Sequence, residues 1–272
     1  MNGMLARQPH EFQILKCRIV GAQAIVAQSD RHFARHTHDQ FGIGVIHDGA
    51  QKSASGRGPV EAGPGDVVTV NPGEVHDGAP IGDAARFWQM LYFDPGIIAS
   101  AVADIRQGKK EDVEFSHPVI SNPRLTGTVR ELFSAMTSSE TGSDLVSQEL
   151  LLTLLADVID KPHKPGSVAR EVHAARERID DDPAAPVSLA DLADLADMSQ
   201  FQLLRAFRRA TGLTPHAYLV QRRIQLARRM IATGTSLAEA AFASGFADQS
   251  HMTRIFTSSY GFSPRRFASV VL

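Results

Sequence analysis

The chain has 272 residues, 43% hydrophobic and 21% charged, a balance that excludes an intrinsically disordered protein and suits one large or two ordinary folded domains. A single cysteine, Cys17, excludes any disulfide within the chain and is compatible with a reducing compartment. The formal charge of −2 hides a division: residues 1–167 and 168–198 each carry −5, whereas 199–272 hold ten arginines, no lysine and only Glu239 and Asp248, for +8. A basic tail of that kind is where an anionic polymer would bind, although a merely solvated surface has the same composition.

In chain order, the opening MNGMLARQPHEF has no apolar core followed by a small-residue cleavage site, so no signal peptide is expected. Residues 12–93 read as β-rich. Apolar stretches at 19–27, 41–46, 66–70 and 86–93 are separated by glycine-bearing turns at 56–59 and 63–66, a spacing that predicts a barrel or sandwich. Residues 95–107 and 122–160 read as helical. The most apolar run, 145–159, is broken by Gln148, Glu149 and Asp157 and is too short to span a bilayer. No membrane contact is expected, and the location expected is cytoplasmic. Residues 161–167, KPHKPGS, read as a linker.

The tail contains an internal repeat. Residues 199–218 align with 248–267 at an offset of 49: Gln200 meets Gln249, Arg205 meets Arg254, Phe207 meets Phe256, Gly212 meets Gly261 and Pro215 meets Pro264. Upstream, with one residue of slippage, Ala193 meets Ala241. Each copy begins with a short helix (189–196 and 237–243) carrying a small residue where a second helix must cross. A tight turn follows at Asp197-Met198 or Ser244-Gly245-Phe246, and Gly245 can supply positive φ. Ser199 and Asp248 then cap a second helix whose core positions are Leu203, Ala206 and Phe207, or Met252, Ile255 and Phe256. Gly212 and Gly261 suit left-handed caps, and Thr214-Pro215 and Ser263-Pro264 open the next helices.

This arrangement resembles the AraC/XylS family of transcription regulators, most specifically in residues 245–256 (GFADQSHMTRIF), Tyr260-Gly261-Phe262-Ser263-Pro264 and Phe267. The resemblance covers about a hundred residues, both copies included. It implies two helix-turn-helix units joined by a helix over 215–232, whose stripe of Val220, Ile224, Ala227 and Ile231 leaves Arg222, Arg223, Arg228 and Arg229 on the remaining surface. Two reading helices held that way would enter successive major-groove segments, and tail arginines would neutralise phosphates. Candidate DNA contacts are Phe201, Leu204, Arg205 and Arg208 in the first copy, and Gln249, Ser250, His251 and Arg254 in the second. Arg205 and Arg254 suit guanine O6 and N7, and glutamine suits adenine. Phe201 and Leu204 either touch thymine methyls or close the core beneath the helix.

His36-Thr37-His38 before the 41–46 stretch, and residues 64–76 (PGDVVTVNPGEVH), resemble the cupin-type barrel that serves as effector domain in this family. The implied fold class is α+β multidomain. A cupin-like barrel with flanking helices occupies 1–160, a linker 161–168, and an all-α domain of seven helices with two helix-turn-helix units 169–272. Candidate effector contacts are His36, His38, Glu74, His76, Trp88 and Tyr92, the last two being equally suited to barrel core. No carboxylate follows His38 where metal-binding cupins place one, so the three histidines are read as pocket-lining or structural and no metal cofactor is expected. Leu151, Leu154, Leu155 and Val158 form a helix face that either packs on the barrel or pairs two subunits. The expected activity is effector-dependent transcription regulation, as an activator, with double-stranded DNA, a small molecule, RNA polymerase and a possible second copy as partners. A cupin enzyme is the rival, but it leaves the helical repeat without a purpose.

Overall fold

The computed structural model describes residues 11–55, 57–82, 84–109, 112–139, 143–160 and 171–272. The expected linker lies outside them. The chain forms two units, 1–33 with 38–162, and 163–272 with the short stretch 34–37.

The N-terminal part of the chain contains β1 (Glu11–Leu15), β2 (Ala22–Ser29), β3 (Phe33–His36), β4 (Phe41–Asp48), β5 (Gln51–Ser55), β6 (Gly58–Ala62), β7 (Val67–Val70), β8 (His76–Pro80) and β9 (Arg86–Phe93). Then come α1 (Pro95–Ile105), β10 (Glu114–Phe115), β11 (Val119–Ile120), α2 (Pro123–Thr137), α3 (Ser143–Val158) and β12 (Ile159–Asp160). One sheet runs β1-β2-β9-β4-β7-β11 and a second β3-β8-β5-β6. The expected strand at 19–27 begins only at Ala22, because Gly21 turns the chain with φ 85°.

Alternation along each strand decides what faces what. Phe41, Ile43 and Val45 of β4, Val67 of β7, and Leu91 and Phe93 of β9 pack with α1, α2 and α3 in one core. The opposite faces contribute Ile46, Val68 and Met90, which meet Ala62 of β6 between the two sheets. Gly42 and Gly44 lie opposite Tyr92 and Met90 in the β4–β9 register. A Cβ on Gly42 would stand 2.9 Å from the Tyr92 ring, and one on Gly44 would collide with the Gln89 carbonyl and the Met90 sulfur. Glycine therefore gives these two large side chains room to lie across β4.

The 122–160 region forms two helices rather than one. Asn122 caps α2, its side chain accepting from the backbone N–H of Arg124 and Leu125. Ser138 then turns extended, with ψ 147°, and ends it. Leu151, Leu154, Leu155 and Val158 of α3 are at most 5% exposed and belong to the helix–sheet core. Uncovering four such side chains would cost roughly 1.5–3 kcal/mol each, so this face is committed inside the subunit and does not pair two copies. Among the described residues no helix is long and apolar enough to cross a membrane.

The described part of the second unit has seven helices: α4 (His173–Asp181), α5 (Leu189–Leu195), α6 (Gln200–Thr211), α7 (Pro215–Ala232), α8 (Leu237–Ala243), α9 (Gln249–Tyr260) and α10 (Pro264–Val271). The punctuation read from the repeat holds. Ser199 and Gln202 form a reciprocal capping box on α6, and the Asp248 side chain accepts from the His251 N–H at the start of α9. Gly212 and Gly261 end those helices in left-handed conformation, at φ 80° and 83°. Thr214 and Ser263 cap α7 and α10, each followed by proline.

Candidate nucleic-acid interface and effector site

Each helix-turn-helix places its second helix over a core built at the same offsets. Leu203, Ala206 and Phe207 of α6, and Met252 and Phe256 of α9, are buried, while Ile255 is only partly covered. The opposite faces are available to solvent. Arg205, Arg208, Gln249, Ser250 and Arg254 are exposed, His251 and Leu204 are half-buried, and Phe201 is 67% exposed. The suggestion that Phe201 closes the core fails, because its ring stands outside the helix beneath the Arg205 guanidinium, 5.8 Å from its carbon. His251 sets its ring against Phe246 at 5.3 Å, edge to face. The first reading surface is therefore aromatic and cationic, and the second polar and cationic.

The arginines of α7 are not all surface charges. Arg228 is 5% exposed, its guanidinium 5.3 Å from the Phe267 ring and 5.9 Å from that of Tyr260. Arg222 pairs with Asp180 at 2.8 Å, and the Tyr218 hydroxyl donates to the same carboxylate at 2.8 Å. Burial, then the Asp180 charge, push the Tyr218 phenol above its ordinary range. Arg223 donates its Nε–H to the Pro183 carbonyl at 2.8 Å. These three cations bond within their own unit, and Arg228, expected on the surface, is buried.

The candidate effector residues converge on the space between the two sheets. Trp88 and Tyr92 are half-buried and pack against the cluster of Ile46, Ala62, Val68 and Met90. The His38 ring lies 5.1 Å from that of His76 and 5.2 Å from that of Tyr92. His36 lies in the stretch 34–37, which goes with the second unit, so within the first unit the histidines brought together are His38 and His76. His36 and His76 donate Nδ1–H to the carbonyls of Ala34 and Glu74, at 2.8 and 3.0 Å. A carbonyl only accepts, so those bonds fix the tautomer and put the ring lone pair on Nε2. Burial lowers the His76 pKa, the Glu74 bond opposing it, which favours neutral imidazole. The Glu74 carboxylate accepts from the Asn71 N–H and Nδ2, both at 3.1 Å.

One residue escaped sequence reasoning. Arg86 opens β9 and is 1% exposed. Its signal was available: Leu91 and Phe93 face the helices, so by alternation Arg86 must share the inner face with Trp88, Met90 and Tyr92. Treating 86–93 as a uniformly apolar stretch hid it.

A family model for an AraC-like ligand binding domain matches residues 23–155, and one for a helix-turn-helix domain matches 192–269. The uncharacterized HTH-type transcriptional regulator YbfI of Bacillus subtilis (strain 168) is 30% identical over 229 residues, 81% of either chain. The HTH-type transcriptional activator RhaS of Klebsiella pneumoniae (strain 342) is 26% identical over 248 residues, 86% of either chain. Apo ToxT from Vibrio cholerae strain SCE256 shares the fold, with a TM-score of 0.57 and 13% identity over 93% of this chain and 99% of that one.

Proposed function

Because this chain belongs to the AraC family of transcription regulators, with a ligand-binding domain ahead of two helix-turn-helix units, we propose that it activates transcription from a site read by α6 and α9, under control of a small molecule held between its two sheets. The observation that carries this reading is the pair Arg205 and Arg254. They occupy equivalent positions of a repeated unit, and both are exposed over a buried core. Each reads guanine through O6 and N7. Gln249, Ser250 and His251 add polar contacts in the second copy, Phe201 and Leu204 offer thymine-methyl contact in the first, and Arg208 steadies the backbone.

The domain limits proposed are 1–160 for effector binding, 161–168 for the linker and 169–272 for DNA. The effector contacts proposed are His36, His38, Glu74, His76, Trp88 and Tyr92, and regulation needs no cofactor. RNA polymerase is the partner of an activator, and a second copy of the chain would have to meet a surface other than the buried face of α3. No enzymatic role is proposed.

The test is fluorescence anisotropy on DNA upstream of the gene across a salt series, with a doubly substituted Arg205→Ala, Arg254→Ala variant alongside. Tight, salt-sensitive binding that loses its preference over random DNA in the variant is the expected result. Absence of binding to any DNA at low salt would overturn the reading.

A further inference from the structure

We propose that the molecule held between the sheets is an organic carboxylate, its anionic end on Arg86 and its apolar body against Trp88 and Phe33. This deepens the effector reading above and rests on it. Arg86 is 1% exposed, and its Nη2 donates to the Arg31 carbonyl at 3.2 Å. Its Nε and Nη1 are buried and have no hydrogen-bond partner. Among the described residues no carboxylate pairs with it, and burial alone lowers its pKa, to about 10. At neutral pH the guanidinium is still charged, yet desolvated. Buried charges in folded proteins are paired and hydrogen-bonded, because unmet donors carry the full cost of leaving water.

The surroundings of Arg86 select the shape of the anion. Its guanidinium carbon lies 5.0 Å from the Trp88 ring centre and 5.6 Å from that of Phe33. Phe12, Phe33 and Trp88 meet edge to face, with centroids 5.8 to 6.4 Å apart. A second cation, Arg31, stands 5.7 Å from Phe33. Three rings beside two guanidinium groups suit an acid with a flat or chain-like hydrocarbon body better than inorganic phosphate, whose whole surface is polar. Aromatic faces alone satisfy neither Nε nor Nη1.

Trp88 is the only tryptophan of the chain and reports directly on this site. The full-length protein is titrated with benzoate and octanoate, with the neutral benzamide and octanamide, and with phosphate, at constant ionic strength up to about 10 mM. Trp88 emission and melting temperature should respond saturably to a carboxylate and not to its amide. In Arg86→Met, affinity should fall by roughly ten- to a hundredfold. That variant should fold, since an apolar replacement removes an unpaired buried charge. Arg86→Lys, which keeps the charge, controls for loss of packing and should retain part of the response. Equal response to acid and amide, no response to either acid, undiminished response in Arg86→Met, or response to phosphate alone would each overturn the proposal. Wild-type operator binding is measured in parallel. If it persists while the carboxylate response fails, only this inference falls; if DNA binding itself is absent, the regulator reading falls first.

Discussion

The first helix-turn-helix copy turns at Asp197 and the second at Gly245, both in the left-handed region, with φ of 51° and 82°. The backbone plan demands positive φ at that point in either copy, and only one copy uses the residue that adopts it without strain. Around Gly245 the demand is stricter, since a Cβ there would stand 2.9 Å from Arg223 Nε and 3.1 Å from the Ala184 carbonyl. The reading helices diverge as well. The first exposes Phe201 under Arg205, while the second exposes Gln249, Ser250 and Arg254. The lesson is that the scaffold is duplicated more faithfully than the surface it presents: one copy offers a hydrogen-bonding code, the other an aromatic platform flanked by arginines.

That contrast can be broken most forcefully at the turn. Gly245→Val should destabilise the helical unit by about 3 kcal/mol, through positive φ on a β-branched residue and collision with Arg223, read as a lower urea midpoint. A loss below about 1 kcal/mol would mean that the turn relaxes freely. On DNA, Arg254→Ala should remove about 2 kcal/mol of discrimination between operator and random sequence. Arg205→Ala should remove less, because Phe201 restrains its guanidinium; the reverse order in anisotropy measurements would show that the first copy carries the specificity.

Asp197→Gly should raise stability by about 0.5–1 kcal/mol, since it relieves left-handed strain in a site that already tolerates the conformation. No gain would indicate that Asp197 makes a compensating local bond. The smallest effect concerns the caps of the leading helices. Ser188 and Asp191 form a reciprocal capping box on α5. The bonds from the Ser188 N–H and hydroxyl hold the Asp191 carboxyl below its ordinary range. Its folded pKa lies under the unfolded one, so the contribution is present above the unfolded pKa and is lost as pH falls through the folded value. Melting temperatures of wild type and Asp191→Asn should therefore converge at acid pH and separate toward neutrality. A constant difference would assign the cap's effect to packing.

The sequence by itself determined the duplicated scaffold, because its signals are local. Ser199, Gly212, Gly261, Pro215 and Pro264 act on the backbone within a few residues of themselves, and spacing alone reveals them. The same holds for the exposed arginines at equivalent positions, and for the alternation of β9. Tertiary structure alone decided which charges are spent inside. Arg228 lies on Tyr260 and Phe267, and Arg222 on Asp180, through contacts that bridge separate helices. It also decided that the His38 and His76 rings lie 5.1 Å apart, since that depends on which strands become neighbours. Arg86 shows the difference most clearly. Its inward direction follows from alternation, but whether anything answers its charge depends on every strand that closes around it, and no sequence period records such long-range pairing.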